Sequence, residues 1–390
     1  MRIVSQASAV LLLGLAMLAG CADRPTGPVP AVQLAGDLAI DVASGPVCDI
    51  DAANWEGDRD RAVLNDLAPR GPLRVGINFG NPNNATRDPV TGRLSGLAVD
   101  MACKLAHGTD AQLLVVPYAG IPQILTGLAQ GEFDVAFTFD PSLATGSAAR
   151  AIPHIGVENT YLVPGNASFQ SVADVDAPGV LISVGQSNAP DIYLTGTLEH
   201  ATLVRTATVP QALALLRTGQ VNAFAGSRSV EAAFIAISFP SGRMLPDDFL
   251  VAPLGMALAL GQGDGLGYVN EFVDWSKTSG LVGLAIERAG LIGVVIPPPP
   301  PPEQRITFLQ NHVARLEHNG VLNRGQSGAL AIKLQGALEK LAIGEPEAAM
   351  NKVAAFINQV DAFRNAGILS DQQSGSLLEI ARDVVARAAA

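Results

Sequence analysis

Residues 121–139 read IPQILTGLAQGEFDVAFTF. The first part predicts a helix that stops at Gly131, because a glycine just past the last periodic residue takes the left-handed conformation that ends helices. The second part, FDVAFTF, is a short apolar, β-rich run and predicts a strand. Helix-then-strand is the repeating step of an α/β architecture, and the step recurs on both sides. LRVGINFG from Leu73 and AQLLVVPY from Ala111 predict strands, with the helix GLAVDMACKLA from Gly96 between them. A second series follows: the strand GVLISVG from Gly179, a helix near Ala189 to His200, the strand ATLVRT from Ala201, the helix VPQALALLRTG from Val209 and the strand VNAFAG from Val221. From about Leu73 to Gly290 this alternation implies mainly parallel sheets, which bind ligands at the carboxyl ends of their strands, where the following helices present free N–H groups.

The chain has 390 residues, 48% hydrophobic and 16% charged. That is a globular balance, and the length exceeds a comfortable single core, so at least two domains are expected. The net charge of −11 repels phosphate backbones and anionic membrane surfaces, and no strong basic patch offsets it. With only two Trp and four Tyr there is no stacking platform for single strands, so nucleic acid is excluded as a partner.

The start, MRIVSQASAVLLLGLAMLAGCADRP, has Arg2 and then an apolar stretch from Ala9 to Gly20 that ends at Cys21. Such a stretch is too short to span about 30 Å of hydrocarbon and reads as a secretory signal over residues 1–20. LAGC, Leu18 to Cys21, resembles the lipobox of bacterial lipoproteins, which implies lipidation of Cys21, a tether over 21–70 and attachment to a bacterial membrane surface. Cys48 and Cys103 remain. The exported setting permits pairing, but Cys103 sits on an apolar helix face, and the expectation is a free, buried thiol. Neither cysteine has metal-ligand spacing, so no metal or other cofactor is expected.

Several segments resemble, in order and rough spacing, the solute-binding proteins of bacterial ABC importers, in the family of polar amino acid receptors (family 3). They are LRVGINFG, GRLSGLAVDM, ILTGLAQGEFDVAF, ENTYLVPG, SVADVD, ALALLRTGQVNAFAG and GMALALGQGDGLGYVNEFVDWSKTSG. The resemblance covers about Leu73 to Gly290. It implies a two-lobed periplasmic-binding-protein type II fold over 71–296, with lobe one at about 71–160 and 254–296 and lobe two at 161–253. The crossings would fall near Tyr161 to Gly165 and Phe249 to Met256. It also implies a small polar solute gripped between the lobes, and an ABC importer permease as partner.

Two anchors of that family are missing. Its Thr-x-x-Arg element, whose arginine holds a ligand carboxylate, would put that arginine near Ala144, but FDPSLATGSAARAIP offers only Arg150, several residues late. The family's aspartate for a ligand ammonium falls on Ser227, and the aspartate before it on Asn222. Burying an unpaired ammonium or carboxylate would cost several kcal/mol, which argues against a zwitterionic amino acid. The candidate ligand contacts are Phe79 and Asn81 after the first strand, Tyr118, Thr138, Asp140, Ser187 and Asn188 in the GQSN turn, Ser227 and Arg228. Asp140 is the candidate replacement for the cation anchor and Arg228 for the anion anchor. For each polar residue the alternative is a cap or turn former, of equal weight for Asn188, Ser187 and Asp140, and Phe79 and Tyr118 taken alone read as core before ligand platform.

His107, His154, His200, His312 and His318 are scattered, with no G-x-S-x-G beside them. An enzymatic reading rests only on Asp140 or Glu158 as an acid or base without a recognisable partner.

Pro297 to Pro302 form a run that can enter neither a helix interior nor a sheet ladder, so 297–303 is expected to be a stiff linker of about 19 Å that holds two bodies apart. Beyond it, 304–390 reads as a small all-α module. Leu330, Leu334, Leu338 and Leu341 share one helix face, and Val353, Phe356, Ile357, Val360 and Phe363 another. NGVLNRGQSGAL from Asn319 recurs as AGILSDQQSGSL from Ala366, which suggests two helical hairpins with Gly320, Gly344 and Gly367 as stops. AAFINQV and AGILSDQQ resemble the FIMAH domain of extracellular bacterial proteins, which implies a spacer or a dock for an unknown envelope partner. The sequence thus suggests an extracytoplasmic solute-binding lipoprotein. A ligand-sensing or adaptor lipoprotein without transport is the alternative.

Overall fold

The structure is a computed structural model that describes residues 48–55, 57, 61–81, 83–139 and 148–388. Cys21, the leader and Asp140 lie outside them. In chain order the elements are α1 (Arg61–Leu67), β1 (Leu73–Asn78), β2 (Thr86–Arg87), β3 (Leu94–Ser95), α2 (Leu97–Thr109), β4 (Leu113–Tyr118), α3 (Ile121–Gln130), β5 (Val135–Phe139), β6 (Ala148–Arg150) and β7 (Ile155–Pro164). A 3₁₀ turn over Val172–Val175 leads to β8 (Leu181–Gly185), α4 (Ala189–Thr197), β9 (Thr202–Thr206), α5 (Val209–Arg217), β10 (Ala223–Ser227), α6 (Arg228–Ser238), β11 (Gly242–Met244) and β12 (Leu250–Ala259). The rest is α7 (Gly263–Thr278), α8 (Leu281–Arg288), β13 (Val294–Val295), α9 (Pro302–His318), α10 (Arg324–Ala342), α11 (Pro346–Asn365) and α12 (Asp371–Ala388).

Strand order is β4-β1-β5-β12-β7-β10-β8-β9. β1 runs parallel to β4 and β5 in lobe one, and β8 runs parallel to β9 and β10 in lobe two. All residues of β1 are buried, which follows from helices covering both faces of a parallel sheet. Helix α3 ends as its glycine predicts, with Gly131 at φ +64°.

Two antiparallel strands join the halves. β12 pairs with β5 at Gly255–Leu258 and with β7 at Leu250–Leu254, so it belongs to both sheets. β7 pairs with β12 over Ile155–Asn159 and with β10 over Asn159–Leu162. The first crossing therefore lies upstream of Tyr161–Gly165, where the chain is already part of lobe two.

Lobe one has a core of β1, α2, α7 and α8 residues such as Ile77, Leu97, Met101 and Phe272, and lobe two has its own, with Tyr161, Ile182 and Phe224. The segment before α1 adds Trp55, 2% exposed, which packs its ring against Tyr268, Phe272 and Trp275. Burying side chains of this size contributes about 1.5–3 kcal/mol each. This packing also corrects the free-thiol expectation. It sets Cys48 beside α2, and Cys48 and Cys103 form a disulfide with Cα atoms 5.4 Å apart.

α9 to α12 form the all-helical module around Leu309, Leu334, Phe356, Val360 and Leu377. Gly320, Gly344 and Gly367 end helices at φ +74°, +76° and +69°. The module does not stand off on a proline rod. Pro302 is already the first residue of α9, and α9 packs on α7 of lobe one through buried ion pairs. A run of prolines fixes the path of the chain but not its direction, and complementary charges on α7 draw the module in. Arg315 Nη2 lies 2.6 Å from Glu271 Oε1, and His312 Nδ1 2.9 Å from Glu271 Oε2.

Candidate functional site

The two lobes meet where the loop after β1 faces the end of β10. Asn83 Nδ2 donates to Ser227 Oγ at 3.2 Å, across 144 residues of sequence. Local chemistry shapes the loop: Asn81 Oδ1 accepts from the Asn83 N–H at 3.0 Å, an Asx turn that folds the chain back after the strand. Asn83 is 1% exposed and Asn84 0%. Asn83 Oδ1 and both amide atoms of Asn84 are buried with no hydrogen-bond partner. Orphaned buried amides are rare, because each leaves about 1–3 kcal/mol of desolvation uncompensated.

Of the candidate contacts named from the sequence, Asn81 and Ser227 fall at this seam. Phe79 follows β1 directly, gives its N–H to Tyr118 O at 2.8 Å and is half-buried against the lobe-one core. Ser187 is a non-glycine residue at φ +63°, a conformation that costs energy and persists where the surroundings enforce it. Here Asp191 Oδ2 enforces it by accepting the Ser187 N–H at 2.9 Å. Asn188 is the N-cap of α4 without a side-chain cap bond, and Ala189 behind it packs against the lobe-one core, so this turn also reaches the other half. Thr138 lies in β5.

Tyr118 and Arg228 are placed otherwise. Tyr118 is core: it is 4% exposed, packs edge-on to Phe133 and donates to Glu132 Oε2 at 2.7 Å. Burial pushes its phenol pKa well up, with Glu132 adding to the effect. Arg228 donates Nε to Asp248 Oδ1 at 2.7 Å and Nη2 to Pro246 O at 2.9 Å, with Glu158 Oε2 at 3.5 Å. Its charge is met at the hinge, which takes it out of the role of an open anion anchor. Asn83 and Asn84 are not among the candidates read from the sequence, because NPNNAT after a strand reads as turn chemistry. The one available signal was the density of amides directly after the first strand.

Among the described residues, two concavities lie elsewhere. One of about 480 Å³ runs along α11 and α12, and one of about 170 Å³ sits between Trp55, Trp275 and α12. The larger is rimmed by Arg364 and Arg382, which pair with Asp361, by Asp383, which pairs with Arg387, and by Glu379, and it lies away from the junction of the two lobes.

No protein-family model matches the sequence, and no curated protein matches it. Among solved structures, a mutant of ArgBP from T. maritima superposes with a TM-score of 0.51 at 21% identity, covering 58% of this chain and 99% of that one. An ancestral amino acid-binding protein, a precursor of cyclohexadienyl dehydratase, gives 0.50 at 23% identity over 58% and 97% of the two chains. The fold is that of a type II periplasmic binding protein. A binding component of an ABC transporter from Wolinella succinogenes, complexed with lysine, gives 0.50 at 24% identity over 56% and 95%. The type II fold accounts for the two lobes and both crossing strands, and α9–α12 are additional to it. Among the described residues no helix is long and apolar enough to cross a membrane.

Proposed function

We propose that the chain is an extracytoplasmic solute-binding lipoprotein, anchored through Cys21, that captures a small polar solute between its lobes and delivers it to an ABC importer. In this reading 71–296 is the solute clamp, with its lobes divided near 160 and 254, and 297–303 leads to the helical module over 304–390. The observation that carries it is the seam itself. Two strands hinge the halves, and unpartnered amides are buried where the halves meet. A hinged clamp can replace a solute's water shell with fixed donors and acceptors, and a permease can tell its closed form from its open one. The solute's bonds stay intact. Asn81, Ser187, Asn188 and Ser227 are the proposed contacts retained from the sequence, with Phe79, Thr138 and Asp140 as further candidates. Similarity to amino acid-binding proteins and to a transporter's binding component supports the reading.

Calorimetry and small-angle scattering on the full chain test it. The expected result is that at least one metabolite binds and reduces the radius of gyration. Binding without compaction, or consumption of the solute, would count against a clamp.

A further inference from the structure

We propose that the solute is uncharged and is held by Asn83, Asn84 and Ser227 through donor and acceptor pairs, the carboxamide edge being the simplest match. This rests on the solute-clamp reading and names the ligand class of the same seam. Asn83 and Asn84 are more than nine-tenths buried, and three of their four amide atoms lack a partner: Asn83 Oδ1, Asn84 Oδ1 and Asn84 Nδ2. Ser227 Oγ, facing Asn83 from lobe two, accepts from its amide and so has its own proton to give, and Asn84 is the next residue along the loop. The seam therefore offers donors and acceptors in near balance, and an amide that presents C=O beside N–H on a solute returns both kinds at once. A full charge brought to the same place would need a counter-charge. Ser227 stands where amino acid receptors carry an acid, and its neighbour Arg228 is neutralised by Asp248 and Glu158. Arg150 lies on β6 in register with Ala257 with its Nε buried and unpartnered, so it is a cation that a charged solute could recruit, and charged probes are tested beside neutral ones.

The experiment is calorimetric titration of the full chain with two sets of probes: neutral ones (nicotinamide, uracil, myo-inositol) and charged ones (L-lysine, L-arginine, L-glutamate). The expected result is binding in the neutral set, weakened about tenfold or more in Asn84→Ala by loss of paired hydrogen bonds. Asn84→Ser, a smaller change that keeps one polar group, guards against misfolding and should weaken the same probe. Preference for a charged amino acid, with compaction, would overturn the neutral class and leave the clamp standing. Unchanged neutral affinity in both folded Asn84 variants would remove these asparagines from the site. Binding by neither set would overturn the carboxamide match, and the clamp would then stand or fall on the wider metabolite titration with scattering. Binding of myo-inositol in place of the amides would support the neutral class and overturn the carboxamide match in favour of a diol.

Discussion

Arg305 Nη2 lies 2.6 Å from Asp274 Oδ2, with the two side chains 3% and 1% exposed. Arg305 also donates Nη1 to Asp383 of α12, so one guanidinium joins lobe one to two helices of the module. Removing one partner of a buried pair strands the other, at a cost of about 3–5 kcal/mol. Arg305→Ala is expected to undock the module. The readout is earlier proteolysis within 297–303 together with a lower denaturation midpoint. The double change Arg305→Met with Asp274→Leu should recover much of the loss, since no charge is then left alone.

The Cys48–Cys103 bond closes a segment separated by 55 residues, and restricting the unfolded chain in this way stabilises by about 2–4 kcal/mol. Cys48→Ser with Cys103→Ser should lower the melting temperature by several degrees, and a reducing agent should act on the wild type but not on the double variant. Equal melting in both conditions would mean the cysteines do not pair.

His154 is 0% exposed, against Phe137, and burial holds its pKa down to about 3, with Lys277 adding to the shift. A depressed histidine pKa means that the unfolded chain takes up the proton first. Its contribution is intact above the unfolded value near 6.5 and declines as pH falls toward 3, by about 1.4 kcal/mol per pH unit. His154→Leu is expected to flatten the stability profile between about pH 6 and 4 relative to wild type. Denaturant titrations at a series of pH values check the difference.

Arg228 is held by Asp248, Glu158 and two backbone carbonyls. Arg228→Ala should lower stability by about 1.5–3 kcal/mol, the range for hydrogen bonds to a charged group, while the dissociation constant for a neutral solute stays within about twofold. A large loss of affinity at unchanged stability would place Arg228 back in the site.

The sequence alone settled the alternation of strands and helices, the stop at Gly131 and the helical stripes of the C-terminal module. Each of these is written in local periodicity and in residues with restricted backbone conformations. Tertiary structure decided what depends on groups far apart in the chain. Cys48 reaches Cys103 because Trp55 packs among α7 aromatics, Arg305 finds Asp274 across the proline run, and Asn83 meets Ser227 only because two crossing strands bring the lobes together. A solvated turn asparagine and one buried against a neighbouring lobe look alike in sequence. Burial without a partner, which distinguishes them, is a property of the folded chain.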